Sequence, residues 1–157
     1  GLSEEKSYEA IKKYREYYAV DGVFDISIYD GIPELLRDLK AAGKRVILAT
    51  SKPTVFAEKI LEKFGLAEYF TFVSGSLLDN TRTKKEEVID FALKNVDGMI
   101  PEKTVMVGDR KFDVIGGRQF GFITVGVGYG YAPEGEMEQI KPDYYAKSVT
   151  ELRNILL

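Results

Sequence analysis

The chain has 157 residues, 45% of them hydrophobic, a formal net charge of −3, and neither cysteine nor histidine. That is enough apolar material for one packed core, and it excludes disulfides, thiolate chemistry, imidazole catalysis and a cysteine- or histidine-built zinc site. Lysine and arginine are dispersed and no apolar run reaches the roughly 20 residues that cross a bilayer, so the expectation is a cytoplasmic protein with a small partner and neither nucleic acid nor membrane.

Ser3, followed by Glu4, Glu5 and Lys6, marks a helix start, and Tyr8, Ile11, Tyr14 or Arg15, and Tyr18 recur at helical spacing to about residue 19. An irregular stretch follows over residues 20–29. A helix then opens at Pro33, carries the stripe Leu35, Leu36 and Leu39, and stops at Gly43. Residues 45–50 read as a strand. Pro53 opens a helix with Phe56, Ile60, Leu61 and Phe64 inward, ended by Gly65, and residues 69–73 read as the second strand. The alternation continues with a helix over 83–95, where Val88, Ile89, Ala92 and Leu93 face inward, and a strand over 105–107. A helix over 112–120, a strand over 122–127, a short extended segment over 144–146 and a helix from about 149 with Leu152, Ile155 and Leu156 close the chain.

Alternating strands and helices predict a parallel α/β sheet with helices on both faces, and strands without polar alternation predict burial on both sides. Ligands of such sheets bind beyond the carboxyl ends of the strands. Those ends carry Thr50 and Ser51, then Ser74 and Gly75, then Gly108 and Asp109. Asp113 follows Asp109 by one helical turn, so two carboxylates leave one strand end together, a hard-oxygen pair that suits Mg2+. Read singly, Asp109 is equally a helix N-cap, Asp113 a surface helix residue, Thr50 a cap ahead of Pro53 and Lys85 a solvated lysine. Their order at successive strand ends favours a shared site. The segment Gly126-Val127-Gly128-Tyr129-Gly130 lacks the dinucleotide fingerprint, and no P-loop is present.

The runs Val-Ile-Leu-Ala-Thr-Ser-Lys-Pro (46–53), Lys-Glu-Glu-Val-Ile (85–89) and Val-Met-Val-Gly-Asp-Arg-Lys-Phe-Asp (105–113) together resemble the haloacid dehalogenase (HAD) superfamily, in its phosphoglycolate phosphatase-like branch. The resemblance implies a three-layer, Rossmann-like α/β core over residues 29–157 and the end of a helical cap with its return linker over residues 1–28. It also implies roles: Thr50 and Ser51 on the phosphate, Lys85 neutralising charge, and Asp109, supported by Asp113, holding Mg2+. Lys84 is the alternative to Lys85, one residue out of register. Tyr8, Tyr14, Tyr17, Tyr18, Lys12 and Arg15 fall in the cap segment, where lining a pocket and packing the cap are both open and packing is favoured for the tyrosines.

One expected part is missing. The family's first motif, a strand ending Asp-x-Asp-Gly, supplies the attacking and proton-transferring carboxylates, and neither Asp21-Gly22 nor Asp30-Gly31 matches it. The expectation is a fragment whose nucleophile lies upstream or on a second chain, inactive alone, with the core's central strand absent. The implied activity is hydrolysis of a small phosphomonoester, with phosphoglycolate, a nucleoside monophosphate and pyrophosphate as candidate substrates and a homodimer as a further possible assembly. A catalytically silent phosphate- or metal-binding regulatory domain is the alternative. A receiver-like signalling domain is disfavoured by the order hydroxyl, lysine, acidic pair.

Overall fold

Ten-residue helices alternate with short apolar strands because each stripe of leucine, isoleucine or valine has one sheet face to bury against. The computed structural model describes residues 25–157 and, before them, only Ser3, Lys6, Glu9, Ala10 and Gly22. In chain order the elements are α1 (Ile32–Ala41), β1 (Val46–Pro53), α2 (Thr54–Lys63), β2 (Phe70–Ser76), α3 (Lys85–Asn95), β3 (Val105–Gly108), α4 (Lys111–Gln119), β4 (Ile123–Val127), α5 (Glu136–Ile140), β5 (Tyr144–Ala146) and α6 (Val149–Leu156). The cap helix expected over residues 3–19, with Tyr8, Lys12, Tyr14, Arg15, Tyr17 and Tyr18, lies outside the described residues apart from its start. There the Lys6 N–H donates to Ser3 Oγ at 3.4 Å. No helix among the described residues is long and apolar enough to cross a membrane.

All strand pairs are parallel. Leu35 and Leu39 of α1 and Leu152 of α6 pack with Val125, Val127 and Ala146 on one face, while Leu36 meets Leu61 and Leu66 beside α2. On the opposite face Ile89 of α3 packs with Met106 and Phe122. Strand alternation sorts the two sides: Val107 and Val125 point toward α1 and α6, and Met106 and Thr124 toward α3 and α4. This is the three-layer arrangement that the sequence predicts.

The ladder itself differs from a single continuous sheet. Among the described residues β1 pairs only with β2, and β3, β4 and β5 form a separate ladder, so β1 and β3 face each other without pairing. Between them lies a cavity of about 550 Å3 lined by Ile47, Ala49, Ile89, Val105, Met106 and Phe122 among others. Burial of every strand on both faces therefore fails at these edges: no residue of β1 is fully buried, and Val105 is 38% exposed. The apolar faces are covered by helices, but the edges open onto the cavity. Helix α3 starts at Lys85 rather than 83, and the five-residue α5, which carries no stripe, was not expected.

Candidate active site

β1 delivers Thr50 through an irregularity. Its register runs Ala49 to Ser74 and resumes only at Pro53 with Ser76, so Thr50, Ser51 and Lys52 sit in a bulge at the mouth of the ladder. Thr50 Oγ1 accepts the Lys52 N–H at 3.1 Å, and the Ser51 carbonyl accepts Ser76 Oγ–H at 2.8 Å, which fixes the bulge to β2. Thr50 is not a helix cap, since Pro53 takes that position for α2.

Lys85, at the first turn of α3, reaches across to the same strand end. Its Nζ donates to the Ala49 carbonyl at 2.8 Å and pairs with Asp113 Oδ1 at 2.9 Å. Both side chains are largely buried, 11% and 10% exposed, so the lysine is neither solvated nor interchangeable with Lys84, an exposed residue whose N–H is capped by Glu87. A buried ammonium needs such partners, because desolvation without them costs several kcal/mol. Ammonium carries three N–H donors. With one on Ala49 and one on Asp113, the third carries no bond among the described residues.

Asp113 occupies the third position of α4, where its Oδ2 accepts the Arg110 N–H at 3.0 Å. Arg110, not Asp109, is the residue before the helix. Gly108 makes this possible: a Cβ there would stand 2.2 Å from Asp113 Cβ, so only glycine lets the strand end and the carboxylate share the space. Gly116 does the same for the lysine, since its added Cβ would lie 2.9 Å from Lys85 Cγ and 3.0 Å from Ile89 Cδ1. Sequence reading passed over Gly116. The only available signal was a Gly-Gly pair inside a helix, where each glycine costs about 1 kcal/mol against alanine and so calls for a packing reason.

Asp109 is half-buried at the end of β3, and its Oδ2 accepts the Tyr131 N–H at 2.7 Å. Glu136 of α5 clamps the entrance to α4 by accepting from Arg110 Nε at 2.8 Å and the Lys111 N–H at 3.0 Å. The arginine bond, then the backbone bond, hold the Glu136 carboxyl below its usual range. This partner lies 26 residues from Arg110, beyond any local pattern.

The donor set can be tested against Mg2+. Among the described residues no group of three or more acidic side chains gathers to hold an ion. Mg2+ commonly keeps several waters and takes one or two carboxylates, so two suffice. Asp113 has both oxygens engaged, on Lys85 and on the Arg110 N–H, whereas Asp109 Oδ1 carries no bond among the described residues. The residues present fit the ion, with Asp109 as the side chain able to touch it and Asp113 as its neighbour. Lys85 and Asp113 are thus joined at the Ala49 carbonyl, Thr50 follows Ala49 in the chain, and Asp109 adjoins Asp113 through the β3 to α4 turn; Ser51 is exposed at the bulge.

Residues 2–127 match the model of the family described as haloacid dehalogenase-like hydrolase. A 5'-nucleotidase of Pseudomonas aeruginosa is 40% identical over 156 residues, 99% of this chain and 70% of that protein. The tyrosine-protein kinase PtkA of Mycobacterium tuberculosis is 38% identical over 97% of this chain, which spans only 53% of its length. Its solved structure superposes with a TM-score of 0.83, covering 99% of this chain and 72% of that one. A phosphoglycolate phosphatase of Vibrio vulnificus is 30% identical over 99% of this chain and 68% of its own length.

Proposed function

Because the chain belongs to the haloacid dehalogenase-like hydrolases, we propose that it forms the phosphate- and Mg2+-binding part of a phosphomonoesterase whose attacking carboxylate arrives on a strand between β1 and β3. The buried Lys85–Asp113 pair, anchored on the Ala49 carbonyl beside Thr50, carries this reading. Phosphoryl transfer needs positioning and charge stabilisation more than elaborate covalent machinery. Thr50 Oγ–H and the remaining Lys85 N–H donate to nonbridging oxygens of the phosphoryl group. Asp113 holds the ammonium in place and charged. Asp109 holds Mg2+, which supplies further positive charge against those oxygens when bound.

The slot between the two ladders has room for one more parallel strand: two edges unpaired among the described residues and a largely apolar lining that runs from Lys44 and Lys103 to Ala49 and Val107. A carboxylate at the carboxyl end of that strand attacks phosphorus as the ester P–O bond breaks, and a second acid on the strand protonates the departing alcohol. Water then attacks the acyl phosphate, its proton passing to that same group, so that inorganic phosphate leaves and the carboxylate is restored. Substrates of the small phosphomonoester class fit, as do the activities named for the relatives in Pseudomonas and Vibrio.

The test fuses an apolar strand ending in Asp-x-Asp ahead of residue 1 and measures p-nitrophenyl phosphate hydrolysis with Mg2+. Hydrolysis that falls at least a hundredfold in Asp109→Asn is expected. Activity that survives this substitution would reject the metal assignment, and a folded but inert fusion that still binds phosphate would favour the silent regulatory domain.

A further inference from the structure

The loop that leaves β4 brings aromatic side chains to the acid assigned to the ion. Tyr131 donates its N–H to Asp109 Oδ2, and a Cβ on Gly130 would lie 2.2 Å from Asp109 Cβ, so the loop backbone rests directly on the carboxylate. The Arg110–Glu136 ion pair fastens the far side of the same loop to the start of α4. Yet Tyr131 is 82% exposed, the most exposed large hydrophobic residue among the described residues. Its backbone is fixed while its face stands open.

Tyr29, just ahead of α1, completes the group. Its ring meets Tyr129 edge-on, with centroids 5.3 Å apart and planes at 72°. Desolvation, then the Tyr131 phenol and the Asp109 carboxylate, push the Tyr29 hydroxyl above its usual range, which sets Tyr29 beside both. Tyr131 and Tyr29 therefore stand on one side of Asp109, with Tyr129 packed against Tyr29. A lone exposed tyrosine needs no explanation. An open aromatic face tethered through its own backbone to an ion-binding acid is different, because it offers a planar group on a bound phosphomonoester a surface to stack on. Glycolate and pyrophosphate have no π face to place there, whereas a nucleobase does.

We propose that Tyr131 is a stacking platform that selects phosphomonoesters bearing a planar aromatic group, of the nucleoside monophosphate class, over aliphatic ones. This rests on the phosphomonoesterase reading above. Tyr29 and Tyr129 hold the wall behind the platform.

Calorimetric titrations with Mg2+ present, using adenosine monophosphate, ribose 5-phosphate and orthophosphate, separate the two claims. Adenosine monophosphate is expected to bind about ten- to a hundredfold tighter than ribose 5-phosphate, the range of one base stacked on one aromatic ring. Tyr131→Ala should erase that advantage and leave ribose 5-phosphate and orthophosphate unchanged, while Tyr131→Phe should keep it. Equal affinities for the two sugar phosphates, or a Tyr131→Ala loss shared equally by all three ligands, overturns the stacking role and leaves the phosphate site standing. Failure of all three to bind a folded chain overturns the phosphomonoesterase reading and the stacking role with it.

Discussion

Asp113→Ala is the most revealing single perturbation, because the carboxylate serves two partners at once. It leaves an ammonium of 11% side-chain exposure facing one carbonyl, and it uncaps the Arg110 N–H. Breaking a buried ion pair from one side costs about 3–5 kcal/mol, and loss of a helix-start acceptor adds about 1 kcal/mol. The retained Ala49 bond and the residual exposure of Lys85 offset part of this, which brings the expected loss to about 3–4 kcal/mol. Lys85→Met removes the charge instead and leaves Asp113 with its backbone partner, so about 2 kcal/mol is expected. The double variant has no orphaned charge and should lose about 3 kcal/mol, a coupling of about 2 kcal/mol, as befits groups in contact. Urea unfolding of the four proteins measures this directly. Single losses below about 1 kcal/mol that simply add in the double variant would refute the argument that a buried pair builds the site.

Gly116→Ala should gain helix propensity yet lose about 1–3 kcal/mol net, since its methyl displaces Lys85 and Ile89; phosphate titration should weaken in parallel, and an unchanged affinity would contradict the placement of Lys85. Asp143 accepts from Thr124 Oγ and N at 2.6 and 2.8 Å, and these bonds, the hydroxyl first, hold its carboxyl below the ordinary value of 3.8. A carboxylate lowered by folding contributes stability that is complete above 3.8 and disappears as pH falls through the depressed value. The difference in urea midpoint between the parent chain and Asp143→Asn should therefore be constant at neutral pH and close in that acid window; a gap that widens on acidification would reverse the sign. Glu136→Ala should speed amide exchange at Lys111, whose N–H Glu136 accepts, and unchanged protection there would show that the clamp on the loop is not needed.

Much of the fold was legible because stripe and alternation report which face a side chain takes. Leu35, Leu36 and Leu39, then Val88, Ile89 and Ala92, then Leu152, all lie buried on the helix faces where periodicity put them. Periodicity says nothing about which strand edges meet. Val46 to Leu48 read as a doubly covered strand, yet they border an open slot, because the neighbour of β1 toward β3 contributes no hydrogen bonds to that edge among the described residues. The site divided in the same way. Thr50, Asp109 and Asp113 were visible as strand-end chemistry and Lys85 through the family resemblance, whereas the register between Lys84 and Lys85 required knowing that α3 begins at Lys85 and that Gly116 leaves room for its stem. Glu136 and Tyr131 reach the site through contacts across more than 20 residues of chain, in a loop whose glycines looked merely permissive.

Diffraction from crystals of the chain grown with Mg2+ and orthophosphate bears most directly on whether one phosphate site joins these strand ends. The account predicts an anion within hydrogen-bond reach of Thr50 Oγ1 and Lys85 Nζ and a cation on Asp109 Oδ1. A phosphate seated elsewhere with Lys85 still locked on Asp113, or a cation that avoids Asp109, would contradict it.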